Sequence, residues 1–257
     1  MVKKSFDILL HEKQLVAAGQ IVNEATHAQV TRIINVGTSL VESKNCLALA
    51  QKFSHVYAAL GIHPNDCTPT WRNDLKELTK LLTTHGDRVV AIGECGIDKH
   101  YPDYNLPRQI DAFKAHIELA LTHDRALIVH SRDAYDETLS VLQPYKNDIT
   151  RGVIHCFSED QAFADTALSF GFVLGIGGPL TYPKNDTLRS VFSTVPLEKI
   201  ILETDAPFLP PQQLRGKQNH PKNIASIAQY LADLRDVSVQ EIARVTTDNA
   251  QRIFKIT

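Results

Sequence analysis

The sequence has no CxxC pair, no GxGxxG, no apolar run long enough to span a membrane, and almost no net charge. Each absence removes a class of protein. Four cysteines (Cys46, Cys67, Cys95 and Cys156) with neither a CxxC motif nor a disulfide ladder indicate reduced thiols in a cytosol. Cys95 and Cys156 each follow a possible ligand residue, and both read as small apolar fillers. The N-terminal MVKKSFDILLHEK is too short in apolar residues for a signal peptide, so a soluble, cytoplasmic chain with no membrane partner is expected. A net charge of −2 argues against broad coating of nucleic acid, although not against an enzyme whose metals hold phosphate. No linker, repeat or low-complexity segment interrupts the 257 residues, which suit one large α/β domain. Without a glycine-rich first turn, an open doubly wound sheet is the second choice of architecture.

What the sequence does contain is an alternation of strand-like and helix-like segments. Short runs dense in Val, Ile and Leu occur at Phe6–Leu9, Arg32–Val36, Val56–Leu60, Val89–Gly93, Leu127–His130, Val153–Phe157, Phe172–Ile176 and Ile200–Glu203. Amphipathic stretches lie between them, among them Leu15–His27, Leu40–Lys52, Asp74–Thr84, Leu106–Thr122, Ala134–Leu142 and Asp160–Ser169. A helical tail follows at Ile224–Leu234 and Val239–Phe254. Eight strands with intervening helices predict a (β/α)8 TIM barrel, as a single domain over residues 1–257.

Several of these runs end in a side chain able to ligate a metal: Glu94, His130, His155, and the Glu203-Thr204-Asp205 triplet. Successive members are one or two strand–helix units apart, so they converge only if the strands are parallel neighbours sharing one rim. Carboxylates and imidazoles together suit a divalent cation performing hydrolysis. Glu94, between Gly93 and Gly96, has room for a ligand to approach. A lone histidine at a buried strand end reads as a core imidazole, but two on neighbouring units after Glu94 read as ligands. Glu203 and Asp205, two apart, face the same way and would repel without a cation or proton between them. Asp205 is the candidate ligand and general base, with Glu203 beside it in the catalytic set. Arg132 reads as a surface cation or a phosphate contact, and His63 in GIHP as an ordinary histidine or a phosphate or leaving-group contact. His27, His55, His85, His100, His116 and His123 read as solvated surface. Leu214–Asn223 reads as a solvated loop whose Arg215, Lys217 and Lys222 could flank an anionic substrate.

Taken together, GIHP, AIGECGID, HSRDA, HCFSED, ILETDAP and VTTDNAQRIF resemble the TatD family of metal-dependent deoxyribonucleases, in that family's order, from about Phe6 to Phe254. The resemblance implies a cytoplasmic phosphodiesterase, dependent on Mg2+ or else Mn2+ or Zn2+, that removes nucleotides from DNA ends in the 3'-5' direction. Glu94, His130, His155 and Asp205 would hold metal, and Glu203 and His63 would line the site. The expected partner is single-stranded DNA, bound by a monomer. Many relatives begin F-D-x-H-x-H. Here Leu9 replaces the first of those histidines, and His11 is free to begin the first helix. Leucine cannot ligate, so one ion is expected to be held tightly and a second only with DNA. Three other readings compete: a barrel hydrolase of a small ester or amide, an esterase of mischarged D-aminoacyl-tRNA, and a non-enzymatic remnant. A bridging lysine after the fourth strand would favour the first of these, but Glu94 stands there instead.

Overall fold

Short, continuously apolar segments form strands here because both of their faces are covered. In the computed structural model, which describes residues 12–256, seven strands pair in sequence order, all parallel. They are β1 (Ile33–Val36), β2 (Val56–Leu60), β3 (Val89–Asp98), β4 (Ala126–Arg132), β5 (Gly152–Ile154), β6 (Val173–Ile176) and β7 (Ile200–Leu202). Every residue of β3, β5 and β6 is buried. The helices are α1 (Glu12–His27), α2 (Leu40–Lys52), α3 (Trp71–Thr84), α4 (Leu106–Thr122), α5 (Tyr135–Leu142), α6 (Gln161–Ser169), α7 (Asp186–Thr194), α8 (Ile224–Arg235) and α9 (Val239–Phe254). The fold is a TIM barrel. The predicted first strand, Phe6–Leu9, lies outside the described residues, as do Leu9 and His11 themselves.

Two layers of core hold the barrel. The larger lies between sheet and helices and includes Phe113, Phe163, Phe172 and Phe192, each essentially fully buried. Truncating any of them to Ala is expected to cost about 3–5 kcal/mol. The smaller layer joins Ala59, Ala91, Ile128, Val153, Val173 and Ile201, one from each of β2 to β7, to Ile253 and Phe254 at the end of α9 and to Ile256 just beyond it. Side chains alternate along a strand, so residues two further on continue this same inner face. In β4 the face runs Ala126, Ile128, His130; after β5 it reaches His155; after β7 it reaches Glu203. The inner layer therefore turns from apolar to polar at the C-terminal ends of the strands.

The strand expected at Val153–Phe157 ends at Ile154 and the helix expected at Asp74–Thr84 starts at Trp71, and two further differences bear on the site. β3 continues past Gly93 to Asp98, with a register shift between Ile92 and Cys95 and pairing to β4 from Cys95–Val129 through Asp98–Arg132. Gly96 permits this: its φ is +147°, and a Cβ there would strike the carbonyl of His130. His116, expected at the surface, is fully buried. The buried face of α4 is Gln109, Ala112, Phe113, His116, Ile117 and Ala120, a helical stripe on which His116 falls. Its Nδ1 donates to the Ala112 carbonyl (2.7 Å), and its Nε2 accepts from the Ile62 amide (3.1 Å), next to His63. Burial pushes this imidazole down to about 4, so it stays neutral in the fold.

Two outcomes follow. Gly96→Ala should destabilise the protein by at least about 1–3 kcal/mol from backbone strain alone, with the carbonyl clash added, read as a lower urea midpoint. For His116, the unfolded chain takes up a proton near pH 6.5 that the folded chain refuses until about 4. Across that window, falling pH should destabilise the wild type relative to His116→Gln. Equal pH slopes for the two proteins would contradict a buried neutral imidazole.

Candidate metal centre

Glu94 is the hub of the polar rim. Its Oε1 lies 2.7 Å from His130 Nδ1, 3.7 Å from His63 Nε2 and 3.9 Å from His155 Nε2. One donor atom from each of His63, Glu94 and His130 lies within 4.8 Å of the other two. His155 Nε2 stands 3.3 Å from Asp205 Oδ1. The four residues expected from sequence to ligate metal thus meet in one cluster, contributed by β3, β4 and the segments just after β5 and β7. His155 follows the end of β5, yet its amide still donates to Val129 (2.9 Å) and continues the ladder that aims it.

His130 and His155 are each backed by a second carboxylate. His130 Nε2 contacts Asp98 Oδ2 at 3.1 Å, and His155 Nδ1 contacts Glu203 Oε2 at 2.8 Å. Asp98 is almost wholly buried and also accepts from Asn65 Nδ2 (2.8 Å) and from the His100 amide (2.8 Å). Glu203 Oε1 accepts from the Cys156 amide at 2.7 Å, and its other oxygen is seated where Gly175 leaves space that a Cβ would fill. Glu203 therefore orients His155, while Asp205 faces the nitrogen on the cluster side. A carboxylate behind a ligating imidazole fixes the ring and its tautomer, which is the usual setting of a metal-bound histidine.

The electrostatics fit a cation. Burial pushes the Glu94 carboxyl up, but the facing imidazoles of His155, His130 and His63 outweigh it and hold it well below the usual carboxylate range. Burial likewise pushes Asp98 up, and its hydrogen bonds from His130 and the His100 amide reverse the shift. Burial depresses His130 and His155, yet Asp98 and Glu94 around the first, and Glu203, Glu94 and Asp205 around the second, raise both above the ordinary imidazole value. Four carboxylates around two rings thus call for positive charge, supplied here by protonating the rings. A divalent cation answers the same demand, and Nδ1 of His130 and Nε2 of His155 are the atoms that would exchange a proton for it. The thiols stay out of the donor set: burial pushes both Cys95 and Cys156 up, and the Cys95 sulfur turns to the Ile128 carbonyl. Imidazole and carboxylate without thiolate suit Mg2+, Mn2+ or Zn2+.

His63 differs from the other two rings. Its Nδ1 accepts from the Asn65 amide (3.1 Å), so in the neutral ring the proton sits on Nε2, facing the cluster as a donor. Arg132 stands apart, exposed at the end of β4, with its guanidinium 6.0 Å from the Tyr101 ring centroid. In the loop after β7, Lys222 salt-bridges Glu24 on α1 (2.7 Å), and Arg215 lies over Tyr182, 4.6 Å from its centroid. Two residues escaped the sequence reading. Asp98 follows Glu94 and Gly96 at two-residue spacing on an extended strand, a signal present in AIGECGID. Buried Asn219 donates to Thr204, Phe208 and Leu209 carbonyls and so braces the turn that carries Asp205, which no local pattern announces.

Compared with known proteins, residues 6–255 match the family model described as TatD related DNase. The chain belongs to that family. It is 32% identical to an uncharacterized metal-dependent hydrolase, YabD, of Bacillus subtilis, over 92% of each chain. It is 33% identical to the 3'-5' ssDNA/RNA exonuclease TatD of Citrobacter rodentium, over 93% of this chain and 92% of that one. The crystal structure of YjjV, a TatD homologue from Escherichia coli, superposes with a TM-score of 0.90 at 30% identity, covering 96% of this chain and 95% of that one. The protein is a metal-dependent hydrolase of the TatD family with a TIM-barrel fold. No described helix is long and apolar enough to cross a membrane.

If Asp98 holds His130, Asp98→Asn should weaken divalent-metal affinity about 10–100-fold, with secondary structure retained. Titration calorimetry with Mn2+ measures it, and an unchanged affinity would remove Asp98 from this role.

Proposed function

We propose that this protein is a metal-dependent DNase acting as a 3'-5' exonuclease on single-stranded DNA ends. The observation that carries the proposal is the convergence of Glu94, His130, His155 and Asp205 at one rim, at the distances above. It is supported by the likeness to a relative named as a 3'-5' ssDNA/RNA exonuclease. Glu94, His130, His155 and Asp205 would hold a divalent cation, Mg2+ in the first place. A bound cation supplies Lewis acidity and neutralises charge at the scissile phosphodiester.

The chain's own residues do the rest. Asp205, with its side chain about 29% exposed, is the most open of the carboxylates paired to these rings, and its carboxylate takes the proton of the attacking water. Glu203 keeps His155 in place through Nδ1–H, and Asp98 does the same for His130 through Nε2–H. The Nε2–H of His63 donates to a phosphate oxygen, because Asn65 occupies the other nitrogen. Arg132, exposed on the same rim, reaches a neighbouring phosphate with its planar fork. Hydrolysis of another ester, a small molecule or a D-aminoacyl-tRNA, uses the same rim and is separated from the first reading by substrate.

The decisive assay offers single-stranded and duplex DNA, D-aminoacyl-tRNA, and small esters and amides to metal-loaded protein, with and without chelator. Mg2+- or Mn2+-dependent release of nucleotides from 3' ends is expected. Asp205→Asn should lower it by about 10²–10⁴, the worth of base catalysis, while the chain stays folded. Turnover of esters or amides with no DNA cleavage would overturn the DNase reading, and a near-normal rate in the variant would exclude Asp205.

A further inference from the structure

Among the described residues, the exposed large hydrophobic side chains are Tyr101, Tyr104, Leu121, Phe208 and Val237. The two aliphatic ones sit at the end of α4 and just before α9, and scattered single exposures of that kind are ordinary. The three aromatic ones fall on only two loops, the one leaving β3 directly after Asp98 and the one leaving β7, which carries Asp205. Phe208 is 66% exposed, three residues beyond Asp205.

The Phe208 ring is exposed on a braced backbone. Its amide donates to the Asp205 carbonyl (2.7 Å), and its carbonyl accepts from Asn219 Nδ2 (2.8 Å). Buried Asn219 also ties Thr204 (2.6 Å) and Leu209 (3.3 Å) into the same turn. A ring held out to solvent by a fixed turn is preorganised for contact, since little freedom is left to lose on binding. Cations accompany the aromatics on both sides: Arg132 beside Tyr101, and Arg215 over Tyr182, whose hydroxyl donates to the Pro210 carbonyl. A net charge of only −2 argues against broad, non-specific coating of a nucleic-acid backbone. Placed cations and stacking are the sources of affinity that the two loops supply.

We infer that Phe208 and the Tyr101–Tyr104 loop are stacking platforms for unpaired nucleobases on either side of the metal cluster, with Arg132 and Arg215 on the adjoining phosphates. This rests on the DNase reading of the site and adds to it the residues that select substrate. A base inside a duplex has both faces covered by its neighbours and a terminal base pair leaves only one open, whereas an unpaired base offers both of its faces to the two platforms. Stacking tolerates any base, because each has a π-face. The rim therefore selects unpaired strand ends with little regard to sequence.

The test measures equilibrium binding by fluorescence anisotropy, in the presence of Mg2+. The probes are a six-nucleotide oligothymidylate with phosphorothioate linkages and an abasic strand of equal length and linkage. The wild type should prefer the base-bearing strand by at least about tenfold. Phe208→Ala and Tyr101→Ala should each cut that preference by about tenfold, and Phe208→Trp should keep it. Unfolding curves matching the wild type confirm that each variant is folded, which the exposure of both rings favours. Equal affinity of the wild type for the two strands would overturn the inference. So would a preference untouched by both alanine variants, or a wild-type dimer that Phe208→Ala dissociates, since the rim would then serve a second copy. Cleavage of unmodified DNA is recorded separately, so a protein that stacks bases without cutting, or cuts without base preference, shows which of the two readings has failed.

Discussion

The parallel alignment of the strands, each burying the same alternate face, is the constraint on which the rest of the molecule depends. At one level this face packs Ala59, Ala91, Ile128, Val153, Val173 and Ile201 against the end of α9. One step further along β4, and just past the ends of β5 and β7, it presents His130, His155 and Glu203. A side-chain period of two makes these the same face, so the packing that stabilises the barrel also aims its ligands. A slip of one residue would turn the imidazoles into the helix layer and bring apolar groups to the rim.

That geometry creates an electrostatic problem which becomes the chemistry of the site. Glu94, Asp98, Glu203 and Asp205 lie within a few ångströms of two imidazoles. Carboxylates brought this close need either protons or a cation. The histidines answer by holding protons more tightly than usual, against the effect of their burial. Each ring is gripped from behind by a carboxylate, so its other nitrogen has one direction in which to point. The site is thereby organised before any ion or substrate arrives, which is the condition for electrostatic stabilisation of a developing charge.

Much of this was legible in the sequence, and the reasons are local. β2, α2, α4 and α9 have the bounds their apolar periodicity predicts, because strong patterns ended by clear breaks leave little for tertiary contacts to alter. Glu94, His130, His155 and Asp205 were legible as candidate ligands because each follows an apolar run, although β3 continues past Glu94 to Asp98 and β4 past His130 to Arg132. β3 was predicted too short because its continuation depends on Gly96 meeting the β4 backbone, a contact between chain segments far apart in sequence. His116 was misplaced because a histidine on a helix carries no mark of polarity: only the phase of Ala112, Phe113 and Ile117 around it decides that it is buried.

By itself, then, the sequence determined the alternation of strand and helix, the barrel class, and the kinds of donor atom at the rim. Those follow from periodicity and side-chain chemistry, which are properties of neighbouring residues. The tertiary structure alone decided which nitrogen of each ring faces the cluster, that Asp98 and Glu203 stand behind the rings, and that Asn219 braces the turn bearing Asp205 and Phe208. The Asn219 contacts close a loop over 10 to 15 residues, while the carboxylates behind the rings come from 32 and 48 residues away and reach them only once the strands are side by side.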